Sequence, residues 1–192
     1  MTALTVSESC SITVEEFLAR EPFSDIKYEY LGGVLYAMAG ASEAHNIIAM
    51  NLYSALHARL RGKPCQPFGS DMKLKLRPAA GDTYFYYPDA MIACDPTDSG
   101  HGWRERPAVL FEIISEDTRQ IDEREKRLAY RQLASLQAYV RIEQTRAEVA
   151  VESRAGDEGW RTERLSGLDT VVRLKAVGIA LPLAELYERL KL

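Results

Sequence analysis

Cysteine is scarce. The chain has three, Cys10, Cys65 and Cys94, an odd number with no CxxC spacing, so neither a disulfide framework nor a zinc ribbon is expected and a reducing cytoplasm is the natural compartment. No run approaches the roughly 18 to 20 apolar residues of a membrane span. Glu8 also stands where a secretory leader would place a basic start followed by an apolar run, so the chain reads as soluble and without a membrane partner. Glycine and proline number only 12 and 8, which excludes collagen-like and disordered compositions. No fixed period or low-complexity tract is visible, which sets aside solenoids and propellers. Neither charge sign dominates: 24 Lys and Arg against 28 Asp and Glu give −4, too acidic for a strong, indiscriminate polyanion binder.

What remains is 192 residues with 46% hydrophobic and 27% charged side chains, enough for one substantial core, and a single domain over 1–192 is the economical reading. Ser11 followed by Thr13, ahead of Glu15, Glu16, Phe17 and Leu18, predicts a capped first helix that Pro22 ends. Aromatic and β-branched runs around Gly32-Gly33 predict a hairpin over 28–38, with Glu29 on its first strand. Ile47, Ile48, Leu52, Leu56 and Leu60 recur at helical spacing over 43–61. Strict alternation over 71–77 predicts a half-buried strand with Met72, Leu74 and Leu76 on one face. Further strands are expected at 84–94, 108–114, 138–142, 148–153, 160–165 and 170–180, a helix at 122–133, and a last helix opened by Pro182. Strands grouped in the middle, with helices before and after, predict an α/β (α+β) fold with a mixed central sheet flanked by helices.

Two acids sit on otherwise apolar strands. Asp89 follows Tyr87-Pro88, and Glu112 stands in Phe111-Glu112-Ile113-Ile114. A carboxylate in a buried run loses hydration worth several kcal/mol unless a cation or strong donors compensate. Two such carboxylates on adjacent strands repel unless a metal ion lies between them, and hard oxygen donors suit Mg²⁺ or Mn²⁺. Taken singly, Asp89 reads as a turn residue and Glu112 as a strand-closing ion pair, and the pair needs a third element. Downstream, Asp122 and Lys126 stand at i and i+4, the spacing of a solvated helix ion pair.

Glu29 with Gly32-Gly33, Met38-Ala39-Gly40, His45-Asn46, Pro88-Asp89, Glu112-Ile113-Ile114-Ser115, Thr118, Asp122, Lys126, Tyr130 and Tyr139-Val140 together resemble the Uma2 family, formerly a domain of unknown function. Its members are mostly bacterial and are placed in the PD-(D/E)xK nuclease superfamily as restriction endonucleases. The resemblance spans about 13–190 and implies a restriction-endonuclease-like core with an added N-terminal hairpin and a C-terminal strand and helix. It also implies a metal-dependent endonuclease acting on nucleic acid, in the first place DNA, and a homodimer. Asp89, Glu112 and the Ile113 backbone carbonyl would hold Mg²⁺ or Mn²⁺, with Glu29 assisting. The superfamily lysine would fall on Ile114, so its role maps instead onto Lys126 in the following helix.

Other assignments are open on residues alone. Glu29 is either a metal-shell acid or an exposed hairpin acid. His45, at a helix start where free N–H groups favour anions, is either a phosphate contact or an ordinary polar residue. Asp71 and Asp122 are candidates for supporting the site, and Asp71 reads equally as a turn residue. Arg59, Arg61, Lys63, Lys73, Lys75 and Arg77 form a local basic stretch that could track a phosphate backbone, although charge runs are commonly solvated faces. Two competing functions remain. One is a catalytically inactive nuclease-fold protein that binds nucleic acid or a protein partner; the other is a structural protein in which Asp122 and Lys126 form only a helix pair. The charge does not decide between them: residues 1–45 carry −5, while 46–100 and 101–146 each carry +1, so the acidity lies outside the proposed core.

Overall fold

The computed structural model describes residues 11–38, 40–78, 81–99, 102–115 and 121–192, the side chains at 121–123 and 157 excepted. Helix α1 (Val14–Arg20) starts where Thr13 and Glu16 cap each other's backbone N–H groups and continues into a 3-10 turn, Glu21–Phe23. Strands β1 (Tyr28–Leu31) and β2 (Val34–Ala37) pair antiparallel with Leu31 opposite Val34. Gly32 and Gly33 make the two-residue turn at φ +57° and +99°, where a side chain would be strained. Helix α2 (Glu43–Leu60) begins at Ser42, whose Oγ accepts from the His45 N–H, and buries Ile48, Leu52 and Leu56.

The strand expected over 84–94 is two strands, β5 (Tyr84–Tyr86) and β6 (Ala90–Ala93), and they belong to different sheets. Pro88 has no N–H for a ladder, and the Tyr87 N–H is committed to Glu29 Oε1 at 3.4 Å. Pairing therefore stops and the chain crosses between sheets at Tyr87-Pro88-Asp89. With β3 (Gln66–Gly69), β4 (Lys73–Leu76), β7 (Trp103–Arg104), β8 (Pro107–Ile114), β9 (Ala138–Glu143), β10 (Glu148–Arg154) and β11 (Trp160–Ser166), the strand orders are β2-β1-β5-β4-β7 and β11-β10-β9-β8-β6-β3. The larger sheet is mixed, with β8 and β9 parallel and its other pairs antiparallel.

Between β8 and β9 lie a π-helical stretch, Ile121–Lys126, and helix α3 (Arg127–Tyr130), where a single longer helix was expected. The expected last strand is the hairpin β12 (Val171–Leu174) and β13 (Ile179–Pro182), turned at Gly178 with φ +63°, before α4 (Leu183–Leu186). One core joins α2, β6, β8, β9, the tail hairpin and α4. A second joins β4 and β5 to Leu110, Tyr130, Leu136 and Tyr139.

The α+β class and the mixed central sheet flanked by helices agree with the sequence reading: α2 covers one face, and on the other α3 packs together with the smaller sheet, of which the N-terminal hairpin is the edge. One expectation changes. Cys65 and Cys94 form a disulfide, Cα atoms 4.0 Å apart, against the reading of unpaired thiols. The β3–β6 register sets Gln66 opposite Ala93 and brings the next pair together, a proximity hidden by 29 residues of separation. No described helix is long and apolar enough to cross a membrane.

Candidate functional site

The crossing between the two sheets gathers the acids singled out in the sequence. In the antiparallel β6–β8 ladder Ala90 faces Phe111, and the same register continued by one residue sets Asp89 across from Glu112. Asp89 Oδ2 accepts the Ile113 N–H at 2.7 Å, and His45 Nε2 lies 3.0 Å from Oδ1. Tyr53, one helix face further along α2, donates its hydroxyl to the Asp89 carbonyl at 2.8 Å. The amide and the imidazole therefore hold the Asp89 carboxylate alongside the Glu112–Ile113 peptide.

Glu29 reaches the same place from the smaller sheet. Its hairpin position is buried, as are Glu112 and Lys126. Lys126 Nζ lies 3.1 Å from Glu29 Oε1 and 3.3 Å from Glu112 Oε1. The Tyr130 hydroxyl, four residues on, donates to the same Glu112 oxygen at 2.9 Å. Lys126 ends the π-helical stretch, a wide turn often found at functional sites, and the i, i+4 spacing carries Lys126 and Tyr130 to one carboxylate. Burial pushes the Tyr130 phenol well above its ordinary value, and the charges of Glu112 and Glu29 push it the same way, so it remains a donor. Lys126 is thus a buried, inward-facing cation.

The remaining candidates are dispersed. Asp71 is exposed and pairs with Lys27 at 2.5 Å. The side chain of Asp122 lies outside the described residues, as does Thr118. Arg59 grips Glu185 and the Ala180 carbonyl, and Lys63 donates to the Gly178 carbonyl, both toward the tail hairpin. Lys73 is buried against Glu21 at 2.7 Å, and Lys75 pairs with Glu105 at 2.8 Å, both on the smaller sheet. Arg61 and Arg77 are exposed. The basic stretch is therefore divided between two regions. Phe85, Tyr86 and Tyr87 are buried.

A second charged group has no counterpart among the residues singled out. Glu152 on β10 is fully buried and meets Arg127 Nε at 2.6 Å, Arg131 Nη2 at 2.6 Å and Arg141 Nη2 at 2.8 Å. The signal that flags Glu112, a carboxylate inside an apolar run, is also present in Val149-Ala150-Val151-Glu152. Arg127 and Arg131 repeat the i, i+4 spacing directly after Lys126.

Carboxylates from two sheets thus meet one buried cation within an α+β fold. Residues 14–184 match the family Uma2, described as "Putative restriction endonuclease", and the chain belongs to that family. The uncharacterized protein sll1609 of Synechocystis sp. is 30% identical over 167 residues, covering 85% of this chain and 93% of its own. A second uncharacterized Synechocystis protein, slr1290, is 27% identical over 93% of each chain. A crystal structure of "a putative nuclease belonging to DUF820" from Anabaena variabilis shares the fold at a TM-score of 0.72 and 18% identity, covering 92% of this chain and 97% of its own.

Proposed function

We propose that the chain is a divalent-metal-dependent endonuclease that hydrolyses phosphodiester bonds, with DNA as substrate. One observation carries this reading: Lys126 Nζ sits within 3.3 Å of two buried carboxylates, Glu29 and Glu112, beside an Asp89 carboxylate fixed along the Glu112–Ile113 peptide. Buried charges of this kind are costly to maintain, and an apolar core would be as stable without them.

The donor chemistry fits a hard cation, since Asp89, Glu112 and Glu29 all offer carboxylate oxygens and Glu29 and Glu112 already converge on a positive charge. Asp89, Glu112 and the Ile113 carbonyl would hold Mg²⁺ or Mn²⁺, with Glu29 assisting. A bound divalent ion supplies a lowered pKa for its water and charge neutralisation at the leaving oxygen. Lys126 would offer its ammonium to the attacking water and the phosphoryl oxygens and steady the developing negative charge. Tyr130 and the Ile113 amide orient the Glu112 and Asp89 carboxylates, and His45 adds a donor at the rim. Cutting both strands of a duplex is simplest with two symmetric copies, so a homodimer belongs to this reading, and a monomeric mass in solution would remove it.

The test is cleavage of supercoiled plasmid and of single-stranded DNA with Mg²⁺ or Mn²⁺, using Asp89→Ala and Lys126→Gln as controls. Loss of at least about a hundredfold in rate is expected for each variant. Activity that survives Asp89→Ala would place the chemistry elsewhere. A second reading, a nuclease-fold protein that binds without cutting, is favoured by one fact: Lys126 Nζ, 3.1 Å from Glu29 and 3.3 Å from Glu112, itself neutralises the carboxylates that a metal ion would use. Cation-dependent nicking by the unaltered chain would exclude it.

A further inference from the structure

We infer that Arg127 and Arg131 form a subsite for a nucleic-acid phosphate flanking the one at the Glu29–Glu112–Lys126 centre, an inference that takes its placement from the nuclease reading of that centre. It starts from charge. Glu152 is fully buried, and among the described residues three guanidiniums converge on it, of which Arg141, its side chain 8% exposed and 2.8 Å away, is buried with it. Arg127 and Arg131 bring two further guanidiniums to the same carboxylate, at 2.6 Å each, while their side chains stay 34% and 26% exposed. Arg131 Nε donates to Glu152 Oε2 at 2.9 Å, which fixes its direction, and both side chains leave donor surface in water, which suits a planar fork that binds phosphate oxygens in pairs.

Placement gives this exposed charge a use. Arg127 directly follows Lys126, and Arg141 is the β9 register partner of Glu112, while Glu152 stands on the next strand, β10, opposite Tyr139, so the arginine pole lies about two strand spacings, roughly 9.6 Å, across the sheet from the carboxylate pole. The carboxylate end is suited to a cation and the arginine end to an anion. A phosphodiester strand whose reacting phosphate lies at the first presents its neighbouring phosphate to the second. Arg131 also lies 5.6 Å over the ring of Trp160, which holds the guanidinium plane steady.

Binding separates this inference from catalysis. Fluorescein-labelled single-stranded and duplex oligonucleotides are titrated with the full chain in EDTA, by anisotropy across a salt series. The Arg127→Gln/Arg131→Gln double variant is expected to bind at least about tenfold more weakly, with a log K against log salt slope shallower by roughly 1.4 to 1.8, two phosphate contacts' worth. Arg131→Lys keeps the charge on Glu152 and loses the fork; it should fold like the wild type in urea, keep the slope, and bind about threefold more weakly. Lys63→Gln, at the tail hairpin, should change nothing. Wild-type affinity and slope in the folded double variant, or no oligonucleotide binding by the unaltered chain, would overturn the subsite and leave the arginines as partners of Glu152 alone. A chain that binds through these arginines yet never cleaves removes the nuclease reading and keeps the subsite. One that cleaves while the double variant binds normally does the reverse.

Discussion

At the scale of single residues, Tyr130 shows how the centre is held. Its hydroxyl is buried and donates at 2.9 Å to the Glu112 oxygen that also faces Lys126. Removing that donor leaves a buried carboxylate short of one hydrogen bond, worth about 1.5 to 3 kcal/mol when the acceptor is charged. Tyr130→Phe should therefore lower stability by roughly that amount in urea unfolding, and slow cleavage while oligonucleotide affinity in EDTA stays unchanged. A variant as stable and as active as the wild type would show that Lys126 alone orients Glu112. Asp89 and Glu112 were legible in the sequence because both are acids in apolar runs. Lys126 and Tyr130 were visible only as positions of a family pattern, since the i, i+4 spacing of Asp122 and Lys126 by itself reads as a helix ion pair. Glu152 and its arginines were not legible, because their meaning lies in the register between β9 and β10, which brings together residues no local spacing connects.

At the scale of elements, the 3-10 turn after α1 is tied to the smaller sheet through Glu21, which accepts from Lys73 at 2.7 Å and from the Tyr87 hydroxyl. Burial pushes the Glu21 carboxyl up, but the hydrogen bonds from Lys73 and Tyr87 outweigh it and hold it below the ordinary 4.5. A carboxyl lowered by folding adds stability that is full above its unfolded value and lost as pH falls through the lowered one. The melting-temperature gap between wild type and Glu21→Gln should be widest near neutral pH and narrow as pH falls below 4.5. A gap that stays constant across the acid range would show that the pair does not titrate with folding. Elements with their own local signals were legible: the Thr13 cap, the Gly32-Gly33 turn and the 3.6-residue period of α2. The break at Tyr87-Pro88-Asp89 was not, because both flanking runs have β character and only the partners they find assign them to different sheets. The π-helical stretch escaped for a similar reason, since its composition is that of any charged helix.

At the scale of the whole molecule, the site exists because two sheets meet at one crossing, and the strand beyond that crossing is tied down twice. Strand β6 pairs with β8 on one side and with edge strand β3 on the other. The Cys65–Cys94 disulfide closes the β3 side, on the same strand that Asp89 leads into. A bridge closing a loop of 29 residues restricts the unfolded chain by about 3 to 4 kcal/mol in the chain-entropy account. In a reducing compartment that contribution would be absent. Thermal unfolding with and without dithiothreitol should therefore differ by several degrees, and Cys65→Ser/Cys94→Ser should melt at the reduced temperature and be insensitive to reductant. Because β6 stays paired on its β8 side, the reduced protein should keep the geometry of Asp89 and cleave at the oxidised rate when assayed below its melting temperature. A rate that falls with reduction in the wild type but not in the double serine variant would instead connect the β3 edge to the site.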